Sequence, residues 1–251
     1  MAIWALSDLH LSFSVPEKSM EVFGPAWKNY TEKVEHFWKL KVAKEDLILI
    51  AGDISWAMRP EEALIDLEWI HALPGTKVII KGNHDFWWPS ATKLAKILPP
   101  SIHFIQNNAF HWNEVAIGGS RLWDSSEYRF DSLISFQENP RAKKKSEEEL
   151  QRAQKEEEKI FMRELERLKL SLSCLNPKAP IKIAMTHYPP IGNDLLPSLA
   201  SQILEQYGVQ ICVFGHLHSV KKEKPLFGKA RDVHYFLTSC DYLDFSPLCI
   251  F

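Results

Sequence analysis

Several familiar signatures are missing from this chain, and each absence removes a class of protein. The four cysteines, Cys174, Cys212, Cys240 and Cys249, stand apart without a C-x-x-C pair. That excludes a zinc ribbon or dithiol redox site and leaves buried reduced thiols as the expectation. No stretch approaches the ~20 apolar residues of a membrane-spanning helix. The apolar start from Met1 to Leu6 breaks at Asp8, too short for a secretory leader, so a cytoplasmic chain is expected. An excess of one charge is also lacking. The formal net charge of −2 gives no general attraction for nucleic acid or an anionic membrane, and no extended basic track for a nucleic acid is evident. Internal repeats and the motifs of proteases and dehydrogenases are absent.

What is present is an ordinary globular composition. Of 251 residues, 25% are charged and 45% apolar, which suits one domain spanning 1–251 around one large core. Apolar runs of strand length recur at Ile3 to Leu6, Leu47 to Ala51, Lys77 to Ile80, Ile102 to Ile105, Val115 to Ile117, Ile181 to Met185, Ile211 to Phe214 and Tyr235 to Leu237. Helical patterns lie between them. Trp27, Tyr30, Val34 and Phe37 repeat at helical spacing; Pro60-Glu61-Glu62 opens a helix through Ala63, Leu64 and Leu67; another begins near Pro89, and one more carries Leu199, Ile203 and Leu204. Strand alternating with helix predicts an α/β fold with a largely parallel sheet.

A charged helical insert at about 124–176 interrupts this rhythm. Lys143-Lys144-Lys145 precedes Ser146-Glu147-Glu148-Glu149, whose Ser and third-following Glu make a capping box. Phe161, Leu165, Leu168, Leu172 and Leu175 then form an apolar stripe that ends at Asn176-Pro177. The stripe lasts barely two heptads, which favours packing on the sheet over a coiled-coil partner. Earlier in the insert, Phe130, Leu133, Ile134 and Phe136 predict an apolar surface that caps the substrate crevice.

Chemistry concentrates after the strands. Ile3 to Leu6 runs into Asp8-Leu9-His10, Leu47 to Ala51 into Gly52-Asp53, and Lys77 to Ile80 into Gly82-Asn83-His84-Asp85. Ile181 to Met185 runs into Thr186-His187, and Ile211 to Phe214 into Gly215-His216-Leu217-His218. In open α/β sheets the ligand crevice lies at strand C-termini, so these distant residues should converge. Two carboxylates, four imidazoles and one carboxamide (Asp8, Asp53, His10, His187, His216, His218, Asn83) form a mixed O/N set. Such a set suits Mn²⁺, Fe²⁺/Fe³⁺ or Zn²⁺ rather than the all-oxygen cages of Ca²⁺. The i, i+2 spacing of Asp8 and His10, and of His216 and His218, places each pair on one side of an extended segment, where it can share a metal. Gly52, Gly82 and Gly215 each precede a ligand, where backbone must turn sharply and approach closely.

The ordered motifs D-x-H, G-D, G-N-H-[DE], H and G-H-x-H, here from Asp8 to His218, resemble the calcineurin-like metallophosphoesterase superfamily. The resemblance implies a β-sandwich of two mixed sheets flanked by helices. It implies two divalent metal ions, one held by Asp8, His10, Asp53 and His218 and the other by Asp53, Asn83, His187 and His216, with Asp53 as the bridge. It also implies a metal-bridging hydroxide attacking a phosphodiester, phosphomonoester or pyrophosphate of a small or lipid-linked substrate. His84 would then act as acid or transition-state stabiliser, with Asp85 holding its ring.

Departures narrow the reading. Gly52-Asp53-Ile54-Ser55-Trp56 lacks both the Tyr of purple acid phosphatases and the G-D-x-x-D-R-G of Ser/Thr protein phosphatases. UDP-diacylglucosamine pyrophosphatases, an alternative, often carry Arg where this chain has His84. A non-catalytic metal-binding scaffold is the alternative of another class, and the complete ligand set argues against it. A nuclease is opposed by the near-neutral charge. Arg59 and Arg121 follow strand ends and are candidates for binding substrate phosphate. Trp56, Trp87, Trp88 and Trp123 crowd the motif loops, while His36, His71, His103, His111 and His234 stand outside the motifs.

Overall fold

Leu47-Ile48-Leu49-Ile50 is apolar at every position, and side chains alternate across a strand. Leu47 and Leu49 therefore enter one core, while Ile48 and Ile50 enter another. A strand buried on both faces must lie inside a layered structure. The computed structural model describes residues 1–134, 146–222 and 226–251 and shows two such sheets. The first has the order β11 (Leu248–Cys249), β1 (Ile3–Ala5), β2 (Leu47–Ile50), β3 (Thr76–Ile79), β4 (Ile102–Phe104). The second has the order β5 (Phe110–Trp112), β6 (Val115–Ser120), β7 (Ile181–Thr186), β8 (Ile211–Phe214), β10 (Val233–Leu237), β9 (Gly228–Ala230).

Their inner faces interleave Leu49, Val78 and Ile80 with Ile117, Ile183 and Val213. Outside the first sheet pack α1 (Tyr30–Lys41), α2 (Pro60–Ala72) and α3 (Ala91–Ile97); outside the second pack α4 (Glu147–Ser173) and α5 (Leu199–Gln206). The core is thus divided into three by the two sheets, where one was expected. The two mixed sheets flanked by helices are those the family resemblance implied, and they replace the largely parallel sheet read from alternation alone. β11, β5 and β9 run antiparallel at sheet edges, and with two or three residues each they carry no apolar run to reveal them.

The local signals are otherwise well used. Ser146 Oγ accepts from Glu149 N–H, and Glu149 Oε2 accepts from Ser146 N–H, closing the capping box of α4. Phe161, Leu165, Leu168, Leu172 and Leu175 are all buried, and truncating Leu168 to Ala there should cost ~2–5 kcal/mol. In α1 the buried face is Tyr30, Val34 and Trp38. Phe37 is half-exposed, because the indole one position on fills the same gap and donates to Pro74 O. Cys212 and Cys240 are buried, but Cys174 and Cys249 are exposed, at the α4 C-cap and on an edge strand, so only half of the thiols meet expectation. Phe136 and Lys143 to Lys145 lie outside the described residues. Among those described, no helix is long and apolar enough to cross a membrane.

One feature of topology places the site. Beyond β1 and β10 the chain forms a parallel bridge between Ser7 and Ser239, with Ser7 N–H donating to Thr238 O and Cys240 N–H to Ser7 O. β1, β2 and β3 are mutually parallel, as are β6, β7, β8 and β10. All of these strands therefore end at the same edge, where the two sheets meet.

Candidate metal centre

At that edge the loops turn at once. Asp8, His10, Asp53 and His216 take left-handed backbone angles, with φ of 58°, 45°, 51° and 70°. Such conformations cost a non-glycine residue ~1–3 kcal/mol each and persist only where the surroundings hold them. Asp8 and His10 therefore meet across a tight turn, not along the extended pleat that their spacing suggested. His216 and His218 diverge for the same reason: His216 Nδ1 lies 3.1 Å from Asn83 Oδ1, whereas His218 Nε2 lies 3.1 Å from His10 Nε2. Glycine is needed at 82 and 215 for room. A Cβ on Gly82 would stand 2.1 Å from Asp53 Oδ1, and one on Gly215 2.1 Å from Asp8 Oδ2.

The seven expected ligands are brought together. Asp53 Oδ2 lies between two imidazoles, 3.6 Å from His10 Nε2 and 3.5 Å from His187 Nε2. His187 Nε2 is 2.6 Å from Asn83 Oδ1, and His218 Nε2 is 3.7 Å from Asp8 Oδ1. Two groups, Asp8–His10–His218 and Asp8–Asp53–His187, each present ligand atoms within 4.8 Å of one another. Partners behind them fix the rings. His187 Nδ1 lies 2.9 Å from Ala51 O and so carries the proton, turning Nε2 inward as a lone pair. His218 Nδ1 lies 2.9 Å from Asp241 Oδ1, and Asp241 Oδ2 accepts from Ser219 N–H.

These residues fit divalent cations. Among the described residues Asp8 Oδ2 is buried with no hydrogen-bond partner, and nitrogen faces nitrogen at His10 and His218, a contact that a shared cation would satisfy. Burial raises the pKa values of Asp8 and Asp53. It lowers those of His10 and His216 far below the usual range and that of His187 to about 3. Burial also pulls on His218, but its hydrogen bond to Asp241 and the nearby Asp8 carboxylate lift it to about 9. A cation supplies the positive charge that keeps buried carboxylates ionised beside neutral imidazoles.

His84 is half-buried, its ring 4.5 Å from that of Trp56 and 5.6 Å from that of His10, while its backbone N–H donates to Asp53 Oδ1. Asp85 does not hold this ring. Its carboxylate accepts from the backbone N–H groups of Ile54, Ser55 and Gly82 and from Trp87 Nε1, clamping the β2 and β3 loops together. Four fixed donors leave it no freedom to turn toward its neighbour.

Of the two candidate arginines, Arg121 is at the site. Its carbonyl accepts from His187 N–H, and its charge helps to hold down the pKa of Asp53. Arg59 is exposed ahead of α2, and its guanidinium makes no ion pair among the described residues. Among the tryptophans, Trp56 stacks on His10 at 5.0 Å, whereas Trp87 and Trp88 are core. Trp123 continues a stack that runs from His216 to Tyr188 at 4.0 Å, from Tyr188 to Trp123 at 5.0 Å and from Trp123 to the Arg121 guanidinium at 4.6 Å. Asp241 was missed in sequence although it follows β10 as the other motifs follow their strands. The same inspection of strand ends finds it.

The family model of the calcineurin-like phosphoesterases matches residues 1–220. The chain therefore belongs to the calcineurin-like phosphoesterase family, a class of metal-dependent hydrolases of phosphate esters. Gene 66 protein of Mycobacterium phage D29 is 34% identical over 83 residues, 33% of this chain and 40% of that protein, so the match spans well under half of that relative. Among solved structures, phosphopantetheinyl hydrolase (PptH) from Mycobacterium tuberculosis is 15% identical, with 93% of this chain and 87% of that one covered at a TM-score of 0.51. A protein of unknown function from Aquifex aeolicus, AQ665, is 14% identical over 98% of this chain and 94% of that one, with a TM-score of 0.47. At such identity the PptH likeness is one of fold alone.

Proposed function

We propose that this chain is a binuclear metal-dependent phosphohydrolase. The observation that carries this reading is the convergence of Asp8, His10, Asp53, Asn83, His187, His216 and His218 at one loop edge, where Asp8, His10, Asp53 and His187 are buried and two groups present ligand atoms within 4.8 Å of one another. Asp8, His10, Asp53 and His218 would hold one cation, and Asp53, Asn83, His187 and His216 the other; the position of Asp53 Oδ2 between two imidazoles supports it as the shared ligand. Once bound, two divalent ions would neutralise charge on the phosphate and activate water at neutral pH.

The protein residues then orient and protonate. Ala51 O and Asp241 keep the His187 and His218 rings in ligating tautomers. No protein group bonds the ring nitrogens of His84 among the described residues, which leaves them free to give a proton to the leaving oxygen. The His84 backbone N–H also holds Asp53 Oδ1, which ties the loop carrying the proton donor to the proposed shared carboxylate. An open cleft of about 650 Å³ reaches His216, with Phe130 and Ile134 of the insert on its wall. Those two residues support the insert as a substrate cap.

Metal-depleted protein should be reloaded with Mn²⁺, Fe²⁺ or Zn²⁺ and assayed on phosphomonoesters, diesters, nucleoside pyrophosphates and a phosphopantetheine ester. Hydrolysis of at least one class is expected, with close to two metal ions per chain by elemental analysis and loss of activity on chelation. Full activity after chelation, or no bound metal, would sink the reading.

A further inference from the structure

A second cavity lies beside the metal centre and has the opposite character to the open cleft. It measures about 270 Å³ and lies between the ends of β3 and β6 and the side of α4. Four cationic side chains, Lys81, Arg121, Arg163 and Arg167, line it against a single carboxylate, Glu164. Glu164 is 2% exposed, and its Oε1 accepts from Arg121 Nη2 at 3.4 Å and from Arg167 Nη1 at 2.6 Å. One buried acid therefore aims two guanidinium forks while leaving most of the positive charge unbalanced. A structural ion network would be expected to approach neutrality, since gathering like charges without counter-charge is unfavourable.

Position ties this cavity to the chemistry. Lys81 is two residues before Asn83, and the Arg121 carbonyl receives the His187 N–H at 3.1 Å, so cavity and metal centre share two loops. Size narrows the occupant. Pockets that take a whole small molecule run to ~300–1,000 Å³, and this one suits a single small group. Paired arginine forks match the oxygen geometry of a phosphate.

We infer that this cavity is a subsite for a second phosphate group, so that the substrate of the proposed hydrolase carries a phosphate in addition to the one that is cleaved. The inference rests on the hydrolase reading for the scissile group, but the subsite itself is separable by experiment. The probe is imidodiphosphate, a pyrophosphate analogue with a non-bridging-oxygen set like that of two linked phosphates, compared with inorganic phosphate. Both are tested as inhibitors of hydrolysis of a minimal aryl phosphodiester by the metal-loaded enzyme, for wild type, R163Q, R167Q and the double variant. Arg163 and Arg167 are exposed on α4, but R167Q also removes a partner of the buried Glu164, so R163Q is the cleaner variant and thermal unfolding matching wild type is required of the others.

Imidodiphosphate should inhibit wild type more tightly than phosphate, and each lost arginine contact should weaken it about tenfold, while phosphate inhibition and the KM for the aryl ester stay within about twofold. Restoring charge with R163K should recover part of the loss. Equal inhibition of wild type and double variant by imidodiphosphate would overturn the subsite and assign the effect to metal chelation. An equal loss for phosphate would overturn it in favour of a diffuse field. Should the loaded protein hydrolyse no ester, the hydrolase reading fails, and calorimetric titration of imidodiphosphate into metal-free wild type and R163Q/R167Q still decides the subsite: binding lost in the double variant supports it, and no binding to either overturns it.

Discussion

The two cavities flanking α4 are built from adjacent turns of one helix yet differ in charge. Among the described residues the open cleft takes Ala153, Gln154, Glu157, Glu158 and Phe161 from α4 and adds Asp124, Asp131 and Arg129; the smaller cavity takes Arg163, Glu164 and Arg167 and adds Lys81 and Arg121. Between them stands the stack from His216 through Tyr188 and Trp123 to Arg121. The difference teaches that the surroundings of this metal centre are polar in the directional sense. Among the described residues the smaller cavity presents mostly positive charge and the open cleft mostly negative charge, so the two favour groups of opposite sign.

The largest expected effect is one that treats both cavities alike. His84 sits beside Asp53 and His10 and lines neither cavity, so His84→Ala should lower kcat by ~10²–10⁴ on every substrate with a poor leaving group while metal content stays at the wild-type level. Asp53→Asn should lose metal as well. Metal loss in His84→Ala equal to that in Asp53→Asn would show that His84 is a ligand and not a proton donor.

A smaller effect should separate the cavities. Phe130→Ser with Ile134→Ser removes the apolar wall of the open cleft together with some packing against the second-sheet core. It should raise KM about tenfold for substrates with an extended leaving group and spare the minimal aryl diester. Equal loss on both, in a variant whose thermal unfolding matches wild type, would remove the cap from the mechanism.

The smallest effect probes the charge of the cleft itself. Partial burial and the neighbouring Glu157 carboxylate raise the pKa of Asp124 in the folded chain. A raised carboxyl pKa means that the folded state holds its proton more tightly than the unfolded state. Its contribution favours folding at low pH and is lost as pH rises through the folded value. Asp124→Asn should therefore raise Tm slightly at pH 7 and give no gain below the ordinary carboxylate range, where both forms are protonated. Solvent still reaches much of this residue and screens its charge, which keeps the gain small. A gain that persists unchanged at low pH would show that acidic crowding is not its source.

How far this centre could be read from sequence depended on whether the governing physics was local. The apolar quartet at Leu47 to Ile50, the capping box at Ser146 and Glu149 and the stripe from Phe161 to Leu175 are set by periodicities of 2 and 3.6, and they appear where periodicity puts them. The edge strands β5, β9 and β11 are too short to carry a period. Their existence depends on a neighbour that offers unpaired backbone groups. Asp85 shows the same limit inside a motif. Its adjacency to His84 suggested a partner, but two of the four donors that hold it come from Ile54 and Ser55, some thirty residues away.

Sequence alone determined which residues could bind metal, because oxygen and nitrogen donors placed after buried strands have few other uses in such number, and strand direction brings their loops to one edge. Tertiary structure decided everything that depends on approach between distant segments. It decided how loops from the two sheets meet and that left-handed turns at Asp8, His10, Asp53 and His216 aim the candidate ligands. It also decided that Asp241 supports His218 and that Arg121, but not Arg59, stands beside the centre. The physical reason is range. Side-chain period and donor chemistry are properties of a few consecutive residues, whereas the charge of a cavity is a sum over loops that meet only when the sheets have packed.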